Sequence, residues 1–210
     1  MTLFSLYEQK LIRLTDDQGN TFTGIADTLP AEFCMHEYGR EEEAIQLGEY
    51  IIYRSQITKV EILPTYEEAV AAIPLGKYRH FKGNEYEVIA IARHSETEEA
   101  MVVYQALYGD HGIWVRPASM WNETVERGGK TYRRFYRVDR IERVEKYEKL
   151  FDEAMISHDA EKLHLLEIYY TSGEWREDYE ADERGELPPD LKRGVLSQDA
   201  LYELLEEAKP

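Results

Sequence analysis

Six consecutive residues of this 210-residue chain concentrate groups that could do chemistry. His94, Ser95, Glu96, Thr97, Glu98 and Glu99 place a base, two hydroxyls and three acids between two apolar runs. Such a set could supply a general base, an activated hydroxyl and a carboxylate partner. Neighbours in sequence seldom point at one another, so His94 beside Ser95 is no dyad by adjacency alone. The run Ser95-Glu96-Thr97-Glu98 also fits a capping box, with Ser95 as N-cap and Glu98 three residues on. That reading makes the stretch a single turn joining two strands and leaves His94, Glu96 and Thr97 for other work.

Planar and charged groups near this stretch extend the candidate site. Tyr78, Tyr86, Tyr104, Tyr108, Trp114 and Trp121 are aromatics with polar handles, and Arg79, Arg93 and Arg116 supply fixed planar donors. An aromatic wall with an arginine and a carboxylate suits a planar polar ligand such as a base, a nucleotide or short RNA. The expected ligand set is Tyr78, Arg79, His80, His94, Glu96, Thr97, Tyr104, Tyr108, Trp114 and Arg116. Arg79 and Arg116 would clamp an anionic group, Tyr104 and Trp114 would stack, and His94 and Glu96 would set specificity. The rival reading is a small hydrolase or transferase with His94 or His80 as base and Glu96 as partner. No catalytic residue is assigned.

Other chemistries find little support. His36, His80, His94, His111, His158 and His164 form no close His-His or His-Cys pair, so neither a metal nor a cofactor is expected. Cys34 is the single cysteine and reads as a packed thiol. Asp178, Glu180, Asp182, Glu183 and Glu186 lack the ligand spacing of a calcium loop and read as a solvated, ion-paired helix face. Phosphate-loop and nucleophile-elbow motifs are missing.

Charge separates the elements that must position these groups. The net charge of −17 disfavours non-specific binding to nucleic acid or anionic membrane. Residues 1–65 carry net −6, residues 74–140 net +2 and residues 141–210 net −11. With one cysteine, no long apolar run and no leader-like N-terminus, the chain reads as cytoplasmic. The expected modules are 1–64, a connector at 65–73, 74–140 and 141–210.

The first module reads as five short strands, with Ile12 and Leu14 opposite Leu11, Arg13 and Thr15, and with GREEEAIQLGE a charged excursion. The pattern Leu11-x-x-Leu14, Gly19, Gly24, Ile25 and Asp27, followed by GEYIIYRSQITKVEI, resembles the two motifs of Sm-like (Hfq-type) barrels over residues 3–63. That resemblance implies a small barrel, RNA contact through Arg54 and a ring-forming oligomer. Ser55 stands where the family has glycine.

The second module reads as strands closed by Pro117 at a sheet edge, then a GGK turn and an aromatic strand, together a second small SH3-like barrel. Its motifs KYRHFKG, HSET, VVY, LYG and WVRP, with RRFYR, resemble a small bacterial domain of unknown function over about residues 75–138. The third module is helical: Ile141, Val144, Tyr147, Phe151, Met155 and His158 recur at helical spacing. Ser172 and Ser197 are expected N-caps, and Gly185 is expected just past a helix end. Its run SGEWREDYEADERGELP resembles an uncharacterised bacterial helical domain over roughly 141–207. The whole reads as an α+β protein of two small antiparallel β-barrels and a C-terminal α-helical bundle. The leading functional expectation is a bacterial binding or adaptor protein. A scaffold in which the acidic bundle docks a protein partner is the remaining alternative.

Overall fold

The computed structural model describes residues 3–207. Five strands open the chain: β1 (Leu11–Asp16), β2 (Thr21–Leu29), β3 (Ala44–Leu47), β4 (Tyr50–Tyr53) and β5 (Ile57–Ile62). They form one antiparallel sheet in the order β4-β3-β2-β1-β5. The alternation in β1 acts as expected, because Ile12 and Leu14 are fully buried with Ala26, Ile45, Leu47 and Ile52. Within the charged excursion, Ala44, Ile45 and Leu47 are buried and make β3. Helix α1 (Ala31–Tyr38) fills the long β2–β3 connection and ends at Gly39, whose φ of 68° suits a residue without a Cβ.

Helix α2 (Tyr66–Ala72) forms the connector. Thr65 and Glu68 exchange hydrogen bonds with each other's backbone N–H in a capping box, and Pro74 stops the helix.

A second sheet has the order β12-β6-β7-β8-β9, from β6 (Gly76–His80), β7 (Glu85–Arg93), β8 (Ala100–Ala106), β9 (Ile113–Pro117) and β12 (Phe135–Arg137). In β8, Ala100, Val102, Tyr104 and Ala106 are buried in strict alternation. Pro117 ends β9 at the sheet edge, where a missing N–H costs no ladder bond. A separate hairpin pairs β10 (Thr124–Arg127) with β11 (Lys130–Arg133).

Both five-stranded sheets are open, which corrects the expectation of two barrels. Closure needs edge strands long enough to pair on both sides along a tilted, staggered register. The edge strands β4 and β12 have only four and three residues, and no pairing among the described residues links either pair of sheet edges.

The helical region contains α3 (Val138–Ser157), α4 (Ala160–Tyr170), α5 (Gly173–Glu183) and α6 (Gln198–Glu207). Its core joins Val144, Phe151, Leu166, Tyr169, Trp175 and Leu201 with their neighbours. Ser172 accepts the Trp175 N–H, Ser197 accepts the Ala200 N–H, and Gly185 follows α5 with φ 65°, all as the sequence suggests. His158 ends α3 in the left-handed region rather than continuing its face.

By compactness the chain divides into two units. Among the described residues, one comprises 3–75, 88–104 and 113–121, and the other 76–87, 105–112 and 122–207. No helix among the described residues is long and apolar enough to cross a membrane.

Candidate functional site

The turn between β7 and β8, in the first unit, is organised by His94. Its Nδ1 accepts the N–H groups of both Glu96 and Thr97 at 3.3 Å, while its own N–H donates to Glu99 O. The expected capping box at Ser95 does not form. Glu98 has φ 59°, a left-handed conformation that cannot be the third residue of a helix, and its N–H goes to His94 O. The acid of this stretch that turns inward is Glu99. It is 8% exposed, accepts from Arg13 Nη2 at 2.6 Å and lies 3.4 Å from Ser119 Oγ. Sequence reasoning passed over Glu99, because its partners stand 86 and 20 residues away.

The other expected ligand residues of the first unit are dispersed in role. Tyr104 is buried, with Trp121 packed edge-on at 5.2 Å. Trp114 is exposed on the edge strand β9 between exposed Ile113 and Val115, and the buried Nε of Arg116 finds no hydrogen-bond acceptor among the described residues. Arg54 opens a short 3-10 turn beside Glu42 and Glu43. Those acids give an RNA phosphate little encouragement there.

The second unit contains Tyr78, Arg79, His80 and Tyr108. Tyr78 is a core residue whose phenol burial pushes up to about 12. Tyr108 shares a hydroxyl hydrogen bond with Tyr86 at 2.6 Å. Arg79 and His80 line a cleft of about 540 Å³ that also receives the β10–β11 hairpin.

This cleft has an aromatic wall and a basic rim. Phe81 and Tyr132 lie 5.9 Å apart, and His80 packs on Phe81 at 4.4 Å and Phe135 at 5.1 Å. Arg79 is positioned by Glu85, which accepts from its Nε and Nη2 at 3.1 and 3.0 Å. The hairpin turns through Gly128 and Gly129, with φ of 58° and 74°, the left-handed pair of a two-residue type I′ turn. That turn sets Arg127 directly opposite Lys130. Neither makes an ion pair or a side-chain hydrogen bond among the described residues. Like charges facing across a ladder are unfavourable, and an anion between them would relieve the repulsion. Asp190 is the cleft's acidic member. Sequence reasoning identified the glycine turn but not β10, so it left Arg127, Lys130 and Tyr132 out of the candidate set.

The acids expected to be solvated on α5 divide. Arg176 and Arg184 do pair with Glu180 one turn away. Asp178, however, is fully buried. It takes two hydrogen bonds of 2.6 Å from Arg143 and one of 2.9 Å from the Tyr169 hydroxyl. The expectation of a wholly solvated face is corrected here, because Asp178 points toward α3 and α4 and meets its counter-charge there. Among the described residues, no group of three or more histidines, cysteines or acids could hold a metal ion.

Residues 76–137 match a protein family of unknown function, DUF1653, and residues 139–210 match a domain of unknown function, DUF4298. A crystal structure of a DUF1653 protein from Bordetella bronchiseptica is 40% identical, covering 31% of this chain and 87% of that one, with a TM-score of 0.30. None of the curated proteins matches the chain.

Proposed function

The chain belongs, through residues 76–137, to the DUF1653 family of unknown function, and we propose that it is a binding protein for a planar anionic ligand of nucleotide type. The site is the cleft lined by Arg79, His80, Phe81, Arg127, Lys130 and Tyr132. The facing pair Arg127 and Lys130, neither of which has an ion pair among the described residues, carries the reading, in a chain whose net charge is otherwise strongly negative. Arginine and lysine would take the phosphate, and the rings of Phe81, His80 and Tyr132 would take the base by stacking. The N-terminal sheet, with its Sm-like sequence pattern, serves in this reading as a structural or docking module.

A hydrolase or transferase is less well supported. His94 Nδ1 already accepts two backbone N–H groups and His80 Nδ1 accepts the Lys82 N–H at 3.3 Å, which occupies the ring nitrogen a base would use. Titration calorimetry of the full chain with adenosine 5′-monophosphate and with a short single-stranded RNA tests the reading. Binding that falls about tenfold or more in R127A/K130A, with the fold intact by circular dichroism, supports it. Absence of binding, or binding indifferent to that double substitution, overturns it.

A further inference from the structure

A second cavity, of about 400 Å³, adjoins the cleft and shares Arg79, Pro188 and Asp190 with it; both belong to the second unit. Its character is different. Helix α3 lines it with Glu145, Glu148 and Asp152, which share one face at spacings of three and four residues. Glu148 is 5% exposed, so its carboxylate has lost most of its water. One oxygen, Oε2, accepts the Val195 N–H at 2.7 Å. The other, Oε1, is buried and accepts no well-formed hydrogen bond among the described residues. A Cβ on Gly194 would lie 3.1 Å from Oε1, so the carboxylate is wedged between α3 and the following 3-10 turn and has little room to swing toward water. A buried carboxylate oxygen without a donor is costly, and the missing donor is expected to be cationic.

The nearest cation is Lys192. Its Nζ stands 3.5 Å from Glu148 Oε1, beyond good hydrogen-bond reach, and its ammonium is engaged by both oxygens of Asp152. Its side chain is 66% exposed, so water can compete for the ammonium there. Lys192 thus places a lysine ammonium at the mouth of the site, where it reaches the buried Glu148 oxygen only as a long ion pair. A metal ion is a poor fit, since no cluster of the required ligands is present among the described residues and Lys149 and Lys192 line the same cavity. A primary ammonium, with three donors on one small charge, fits the requirement better.

We propose that this cavity is an amine subsite, so that the ligand of the composite groove is dipolar: a nucleotide-like anion bearing a protonated primary amine. The amine takes the place of the Lys192 ammonium, donates to Glu148 Oε1 and shares Asp152. The planar anionic part lies between Arg127 and Lys130. The amine subsite extends the cleft proposed above and rests on that reading for the anionic half of the ligand.

Three probes separate the two halves by calorimetry on the full chain: adenosine 5′-monophosphate, its N6-(6-aminohexyl) derivative and 1,6-diaminohexane. The aminohexyl nucleotide is expected to bind at least about tenfold more tightly than the plain nucleotide. In E148Q the two nucleotides should bind alike, because the amide retains an acceptor for Val195 N–H and loses the charge. In K192A, which removes the competing ammonium and leaves the buried acceptor, the advantage of the aminohexyl nucleotide should grow. Plain nucleotide binding with no aminohexyl advantage in either wild type or K192A overturns the amine subsite and leaves the anion cleft standing. Diaminohexane binding that E148Q abolishes, with no binding of either nucleotide, supports the subsite and overturns the cleft. Should E148Q fail to fold, an aminohexyl advantage unchanged by K192A overturns the subsite.

Discussion

Asp178 shows how a single buried charge can organise a small helical core. It is fully buried and takes the two-pronged hydrogen bond from Arg143 and one from the hydroxyl of Tyr169, with Arg140 Nε at 3.4 Å. The consequences run both ways. Hydrogen bonding to Asp178 raises the Arg143 guanidinium still further above its ordinary range, and burial together with the Asp178 charge raises the Tyr169 phenol. Replacing one partner of such a pair strands the other in a poorly solvated place. The substitution D178N, which preserves shape but removes charge, is therefore expected to destabilise the helical region by about 3 kcal/mol. Hydrogen exchange in α3 and α5 reads this directly. Protection unchanged in both helices would show that Arg143 finds water or another acid at no cost.

At the scale of elements, the β10–β11 hairpin is where local backbone chemistry decides the site. Gly128 and Gly129 both have positive φ, and this conformation is what brings Arg127 opposite Lys130. A β-branched residue at Gly129 is strained in that region, whatever space surrounds it. G129V should loosen the hairpin by about 1–2 kcal/mol and weaken nucleotide binding with it, whereas G128N, compatible with the left-handed region, should retain both. Exchange protection of the β10 and β11 amides, measured beside binding, checks the pair of variants. Equal binding by both would separate the ligand from the hairpin geometry.

The same element marks where sequence reading succeeds and fails. The helical spacing of Ile141, Val144 and Phe151 states a burial pattern, and α3 follows it, whereas Ala100–Ala106 is apolar at six of seven positions and its alternate burial emerges only in the folded β8. Thr124–Arg127 has one apolar residue in four and states none, so β10 emerges only from its partner strand. Likewise β3 lies behind the run Arg40–Glu43, whose charge masks three buried residues. Buried acids were illegible for another reason. Glu99 and Asp178 look like surface acids until Arg13 and Arg143, 86 and 35 residues away, are brought to them.

For the molecule as a whole, an acid excess of this size makes pH response depend on which carboxylates are held by cations in the folded state. Glu186 is the half-buried example. Burial alone would raise its pKa. The hydrogen bond from Arg184 and the charges of Arg133, Arg184 and Arg140 outweigh that and hold it below its ordinary value of 4.5. These arginines lie 3.5, 2.9 and 3.1 Å from its oxygens. A carboxylate held down in this way contributes stability that is fully present above about pH 4.5 and fades as pH falls through the lowered folded value. Arg133 belongs to β11 and Arg140 to α3, so the loss should reach the hairpin as well as the helices. E186Q removes the titration. Its stability should be lower than wild type at pH 7 and should converge on it below pH 4, giving a shallower acid limb when chemical denaturation is repeated across that range. Parallel acid limbs for the two proteins would assign the acid sensitivity to other carboxylates and leave the three arginines as screened surface partners.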